Sequence, residues 1–397
     1  MPHTPSNPPL MSIIAAILAV TSVGAGLSLS MPLLSMLFEQ QEISGLWIGL
    51  STAMAGLAAI VAGPFITPLA IRFGVARMLL VFLLVAATSL IGLYLVSSFA
   101  ATFPLRLLFH AAITGIIILS EFWINATAPP ERRGFFLGLY TTMLSLGFVA
   151  GPTILRITGI DSAAPFIAGA IVILIAVIPV SLAARNAPIL ENEPEVAWWK
   201  FIFQSPLAMA AVFVFGLAES GLLALFPVYG LRIGFTPDLV ATYLITMGIG
   251  NVLFQLPIGL LIDRASKQGL TFLFATVGFC GAIAVPFVAS NPMLLYVVIF
   301  FWGGIIPGLY TLGLAQLGAA HKGSNLAAAN AAFIMVYSFG NLVGPPSIGK
   351  GMEVWDPHGA MWVIAIGFGA LGLFALNHLS KPNYNRPESE GTDHERS

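Results

Sequence analysis

Along the chain, stretches of about 20 or more apolar residues alternate with short polar breaks rich in Pro, Gly and charge, and the alternation occurs twelve times. A helix rising 1.5 Å per residue needs about 20 such residues to cross a ~30 Å hydrocarbon core. The pattern therefore predicts twelve transmembrane helices at 12–37, 45–70, 77–97, 101–125, 134–156, 163–184, 203–229, 237–262, 268–289, 292–318, 325–349 and 358–379. The expected fold class is an all-α membrane protein.

One break is longer than the others and falls near the midpoint, RNAPILENEPEVAWWK at 185–200. It predicts a six-helix half at 1–184, a linker at 185–201, a second six-helix half at 202–380 and a polar tail at 381–397, whose composition predicts disorder. Trp198 and Trp199 suit an amphipathic segment at the membrane surface. The opening MPHTPSNPPL has no Lys or Arg, and the apolar stretch after it is too long for a signal-peptide core. It reads as a short tail before the first span, with nothing cleaved.

Composition agrees: 58% of residues are hydrophobic and 8% charged, where soluble domains carry about 25%. A net charge of −1 leaves no basic footprint, so nucleic acid is not an expected partner. The placement of the cations says more. Arg72, Arg77, Arg132, Arg133, Arg185, Lys200, Arg264, Lys267, Lys322, Lys381, Arg386 and Arg396 fall on one side if the spans alternate, twelve of the sixteen. By the positive-inside rule that side is cytoplasmic, as are both termini, in a cell membrane of bacterial inner-membrane type. The opposite loops hold Glu39, Glu42, Asp161, Asp238, Glu353 and Asp356.

Several apparent chemistries drop out. Cys280, the one cysteine, cannot form an internal disulfide and reads as a small packed residue. GPPSIGKG at 344–351 fits G-x4-G-K, but it has Gly351 where Ser or Thr is required and ends a span instead of following a strand. The sequon Asn125-Ala-Thr127 lies on the cytoplasmic side, and no metal-ligand spacing or hydrolase elbow occurs. The chain is not expected to be an enzyme or to carry a cofactor or metal; its energy source would be the proton gradient.

The halves repeat. GFVAGP in the fifth span (Gly147, Gly151, Pro152) matches GNLVGP in the eleventh (Gly340, Gly344, Pro345), with Gly151 and Gly344 193 residues apart. LAIRFG matches LIDRAS, with Arg72 and Arg264 192 residues apart. Duplicated halves are characteristic of secondary transporters that bind substrate between them near the midplane. Each Gly-Pro pair combines close packing with a missing backbone donor, so these sites read as helix bends, or as packing glycines only.

From these residues the chain resembles the major facilitator superfamily over about 12–380. GLLIDR (Gly259, Leu261, Asp263, Arg264) is similar to that family's G-x-L-x-D-R loop signature. The equivalent first-half loop keeps Arg72, Gly74 and Arg77 but has Thr67 and Ile71 in place of Gly and Asp. The resemblance implies a gate formed by Gly259, Asp263 and Arg264 with Arg72 and Gly74. Arg106 matches the Arg of the fourth-span R-x-x-x-G motif, with His110 in place of its Gly. Gly147-x-x-x-Gly151-Pro152 resembles the antiporter motif of span five. EFWINA, ERRGFFLGLY and GLAESGLLALFPVYGLR look like the YcaD-like branch of bacterial inner-membrane transporters. That implies proton-coupled transport, commonly export, and a cavity lined by spans one, four, seven and ten.

Four polar side chains interrupt those spans: Arg106, His110 and Glu121 in span four and Glu219 in span seven. A charge at mid-bilayer costs roughly 2.5–3.5 kcal/mol on insertion scales, so each needs a use or a partner. Arg106 and His110 are i, i+4 neighbours, and Glu121 returns to within roughly 20° of their face. Glu219, with Glu121 and His110, is therefore a candidate proton carrier. Arg106, Glu121, Glu219, Trp123, Asn125, Phe226, Tyr229, Trp302 and Tyr310 are candidates for the cavity wall. The plainer readings stay open: Glu219 hydrogen-bonded to Ser220 or Tyr229, Glu121 paired with Arg132 or Arg133, Arg106 snorkelling to headgroups, His110 packed neutral, and the aromatics facing lipid.

The expected function is secondary active transport by alternating access, a proton-coupled export of a small amphiphilic molecule by a monomer in the lipid bilayer. Proton-driven uptake of a small solute and lipid flipping are the alternatives within transport; a non-transporting receptor would need no buried acids.

Overall fold

The computed structural model describes residues 10–129, 132–190 and 197–379, so the opening segment 1–9, the tail at 381–397 and most of the polar part of the linker lie outside the described residues. Within the described residues, twelve membrane-length helices follow in order. The first half holds α1 (Leu10–Gln40), α2 (Gly45–Phe73), α3 (Val75–Leu95), α4 (Phe99–Thr127), α5 (Arg133–Thr158) and α6 (Ala164–Asn186). The second holds α7 (Pro206–Arg232), α8 (Pro237–Arg264), α9 (Lys267–Val288), α10 (Pro292–Ala320), α11 (Asn325–Val354) and α12 (Gly359–His378). Each predicted span has its helix, and no strand occurs among the described residues.

In hydrocarbon the backbone can satisfy itself only by staying helical, so each helix runs until a residue stops it. Gly74, Gly159 and Gly234 take φ of 91°, 69° and 92° as the chain turns out of α2, α5 and α7, a region open to glycine. Thr236, Ser266 and Asn291 cap α8, α9 and α10, each accepting the backbone N–H three residues on at 3.2–3.3 Å. The seventh helix begins at Pro206, later than the predicted 203. Ser205 (φ −131°, ψ 60°) leaves helical geometry, and Pro206 has no N–H to continue an earlier turn. Before it, Trp198–Lys200 forms a 3₁₀ turn and Phe201–Gln204 one helical turn. Phe201 is buried beside Leu317, Ala329 and Phe333 of the second half, while Trp199 is exposed under the Lys200 ammonium.

Exposed large apolar side chains such as Phe65, Leu256, Phe287 and Ile366 face outward from α2, α8, α9 and α12. A soluble protein does not expose so much apolar surface; here lipid covers it. The most buried helices are α7, α1 and α4, so these form the interior that positions a site.

Glycine lets pairs of helices touch backbone to backbone. A Cβ on Gly24 of α1 would strike the Leu144 carbonyl of α5, and one on Gly147 would strike the Thr21 carbonyl. The second half repeats the crossing: Gly216 of α7 meets the Tyr337 carbonyl of α11, and Gly340 and Gly344 meet the carbonyls of Phe213 and Leu217. Both α5 and α11 run unbroken through Pro152 and Pro345. These motif glycines thus build the two internal seams, and no interruption of the helix marks the prolines.

The halves meet unevenly. At the face opposite the chain termini, Gly45 and Gly49 of α2 press on the carbonyls of Gly349 and Pro345 of α11. Arg232 at the end of α7 donates to Glu39 of α1 at 2.7 and 3.0 Å and to Asp356 at 2.7 Å, and Arg156 of α5 donates to Asp238 of α8 at 3.1 Å. The Leu46 N–H donates to Glu353 at 3.1 Å, and Glu353 also pairs with Lys350 at 2.8 Å. At the terminal face the family-signature residues Arg72, Gly74, Asp263 and Arg264 are all exposed. A Cβ on Gly259 would meet nothing within 4 Å, so this glycine makes no close helix approach here. Among the described residues, Asp263 and Arg264 join no ion pair. The halves are thus shut together at the face opposite the termini; toward the terminal face Gln255 of α8 still donates to Ser145 of α5, and beyond that contact the end with its exposed loop residues is the open one.

Candidate functional site

Near mid-length of α7, Glu219 projects into a cavity of about 80 Å³ between the halves. Ser28, Phe148 and Pro152 come from the first half, and Phe215, Met247, Asn251 and Trp302 are among those from the second. Among the described residues, Glu219 is the one charged side chain in this wall. Its Oε2 accepts a short hydrogen bond from the Tyr337 hydroxyl of α11. Neither partner named from the sequence holds it: Ser220 donates to the Gly216 carbonyl at 2.9 Å, and Tyr229 lies 3.3 Å from His358 Nδ1 at the shut face.

Around this carboxylate the rings crowd. Phe215, one helical turn from Glu219, lies 5.9 Å from both Tyr337 and Tyr310, and Tyr310 lies 5.7 Å from Tyr337 and 5.2 Å from Phe333. Trp302 is 1% exposed and donates its indole N–H to the Gly278 carbonyl at 3.2 Å, so it is a fixed part of the wall. Asn251 Oδ1 is buried in the same wall without a partner.

The stripe on α4 divides by depth. Arg106 is 1% exposed and donates to Ser51 at 3.0 Å and Thr52 at 3.5 Å, both on α2. It does not snorkel to headgroups, and it stands inside the first half, away from the Glu219 cavity. Its Nε has no partner, and no acid pairs with it among the described residues. His110 is buried against Phe109. Glu121 is exposed toward the open end and forms no ion pair with Arg132 or Arg133. Asn125 follows one turn on, donating to the Glu121 carbonyl at 3.0 Å.

Three aromatics expected in the wall stand elsewhere. Trp123 is fully buried because it lies about 200° around α4 from Glu121, in the packing of the first half. Phe226 shares the face of Glu219 but is two turns, about 10 Å, nearer the shut end, where Tyr229 and Tyr243 enclose it. Tyr229 is fully enclosed there as well. No His, Cys, Asp and Glu cluster able to hold a metal occurs among the described residues.

The sequence reading missed Tyr337, Phe215 and Asn251, and the repeat carried a signal for the first. At an offset of about 192 residues Glu219 corresponds to Leu27 and Tyr337 to Leu144, across equivalent glycine seams. An acid and a phenol replace two leucines in one half only, which marks a pair placed together.

Similarity to known proteins agrees with this architecture. A model of the Major Facilitator Superfamily matches residues 16–304 and 233–396. The MFS-type transporter YfkF of Bacillus subtilis is 25% identical over 374 residues, covering 92% of this chain and 94% of that one. An MFS-type transporter of Yersinia pestis is 24% identical over 74% of this chain and 76% of its own. Among solved structures, a point mutant of the nucleoside transporter NupG superposes with a TM-score of 0.78 at 16% identity, covering 94% of this chain and 99% of that one. A D-xylose-proton symporter gives 0.73 at 14%, covering 92% and 97%. With the family model spanning most of its length, this chain belongs to the major facilitator superfamily: it is a multi-pass membrane protein and a secondary transporter, not an enzyme.

Proposed function

We propose that the protein is a monomeric, proton-coupled exporter of a small amphiphilic molecule in the bacterial inner membrane, with Glu219 as its proton carrier. The halves 1–184 and 202–380 rock about the central cavity, exposing it to each side in turn. The observation that carries this reading is a single carboxylate in an otherwise uncharged wall, placed by the Tyr337 hydroxyl. The terminal face is cytoplasmic on the strength of its cations, so the state described above opens inward. Glu121, exposed toward the open end, is the second titratable group on the way out, while His110 is buried against Phe109 inside the first half. The segments EFWINA and GLAESGLLALFPVYGLR support membership of the YcaD-like branch.

Substituting Glu219→Gln keeps shape and hydrogen bonding but removes titration. In proteoliposomes, substrate exchange at equal concentrations is expected to persist while gradient-driven accumulation falls to background, and binding loses its pH dependence. Proton-driven accumulation retained by folded Glu219→Gln protein would remove Glu219 from the mechanism. A second reading, proton-driven uptake of a small neutral solute, draws on the unpartnered Asn251 Oδ1, an acceptor a hydroxyl could fill. The direction of accumulation against an imposed gradient separates the two.

A further inference from the structure

We propose that the transported molecule carries a protonated amine, seated at Glu219 with the rings of Phe215, Tyr310 and Tyr337 at its side. This rests on the reading of Glu219 as the titrating group of the cavity and specifies what competes with the proton there.

Charge is the first constraint. Among the described residues no Lys, Arg or His lines the cavity, and the buried guanidinium of Arg106 is turned to Ser51 and Thr52 on α2. A carboxylate or phosphate on the substrate would meet Glu219 with no counter-charge to offset it. A cation meets an acid whose Oε2 is occupied by Tyr337 and whose other oxygen is left for a ligand. A buried polar atom without a partner in that wall, Asn251 Oδ1, is also an acceptor. Two acceptors in an otherwise apolar wall call for N–H donors, and an ammonium brings donors and charge together.

The rings add a second attraction of the same sign. Phe215, Tyr310 and Tyr337 lie within 5.7–5.9 Å of one another beside Glu219, and π-faces attract ammonium groups in a desolvated setting. Size sets the remaining limit. About 80 Å³ is room for two or three water molecules, enough for an ammonium head group and the first carbons of its chain. Those carbons meet Leu222, Leu223, Leu244, Met247 and Ile306, the apolar part of the same wall, in which Met adapts to different shapes.

Three probes of one skeleton test this: 4-phenylbutylamine, 4-phenylbutanol and 4-phenylbutyrate, each titrated calorimetrically into protein in nanodiscs, with empty nanodiscs as blank. The amine is expected to bind about tenfold tighter than the alcohol and the acid not at all. The amine's advantage shrinks as pH falls, because the carboxylate it needs takes up a proton. Glu219→Gln removes that advantage and leaves the alcohol unchanged, so exchange of the amine by this variant persists only at about tenfold higher concentration; Phe215→Leu weakens the amine several-fold. Tyr337→Phe keeps the ring and frees Glu219, so it binds the amine at least as well as wild type, which controls for misfolding of the other variants. Equal or tighter binding of the alcohol or the acid, or no binding by any of the three, overturns the proposal. Proton flux driven by the alcohol or acid in liposomes would leave the proton carrier standing without the cation. Amine binding that moves no proton would do the reverse.

Discussion

At the face opposite the termini the halves are joined backbone to backbone and charge to charge, whereas at the terminal face the residues that carry the family signature are bare. Gly45 and Gly49 touch α11 directly, and Arg232 bridges the half-buried Glu39 and the exposed Asp356. Asp263, in the better kept copy of the signature loop, joins no ion pair among the described residues in this state. The difference teaches that the signature is not needed to hold the fold together. In this state the signature loop makes no ion pair among the described residues, while the contacts made at the opposite face are the ones an opening there must break.

The largest effect should come from the contact that cannot rearrange. Gly49→Leu drives a side chain into the Pro345 carbonyl, where no rotamer relieves it, and is expected to disfavour the shut face by about 3 kcal/mol. Spin-label distances across the two faces should lengthen at the opposite face and shorten at the terminal face; unchanged distances would show the seam to be incidental. Next, Arg232→Gln removes three charge-assisted bonds and should cost that closure about 2 kcal/mol, roughly a thirtyfold population shift. Accessibility of a cysteine introduced in the cavity wall, read from each side, measures it. Asp263→Asn, by contrast, should leave the shut face alone and disfavour closure of the terminal face by about 1.5 kcal/mol, moving the population toward the state seen here. Transport at wild-type rate with unchanged accessibility would make the motif vestigial. The smallest effect belongs to Arg156→Gln: its pair with Asp238 is 50% and 62% exposed, so under about 1 kcal/mol is expected, and roughly 0.5 M salt should erase it.

The sequence made the spans readable because a bilayer demands long apolar runs, and Glu219 readable because an acid in such a run is costly. Helix orientation was harder. Within a membrane apolar residues cover every side of a helix, so Trp123 and Phe226 carried no mark of which way they face, and both turned out to be packed away from the cavity. Tyr337 hid for a related reason: a tyrosine in a span looks like any other membrane aromatic until its helix is laid against α7. The ion pairs at the shut face join residues far apart in sequence, such as Glu39 and Arg232, and only the packing of the halves brings them together.

Gly56 has a mechanical consequence. It lies near mid-length of α2, and a Cβ there would sit 2.5 Å from both the Ser338 carbonyl and the Leu342 nitrogen near mid-length of α11, so the two axes can come no closer. A tilt of α11 against α2 would pivot there. Measured from Ser338, α11 extends about 24 Å toward one face and about 20 Å toward the other at 1.5 Å per residue. A tilt of roughly 20° about this contact would swing the two ends by about 7–8 Å in opposite directions, more than the width of an extended alkyl chain. Lengthening or stiffening either arm would change the size of molecule admitted without touching the cavity itself.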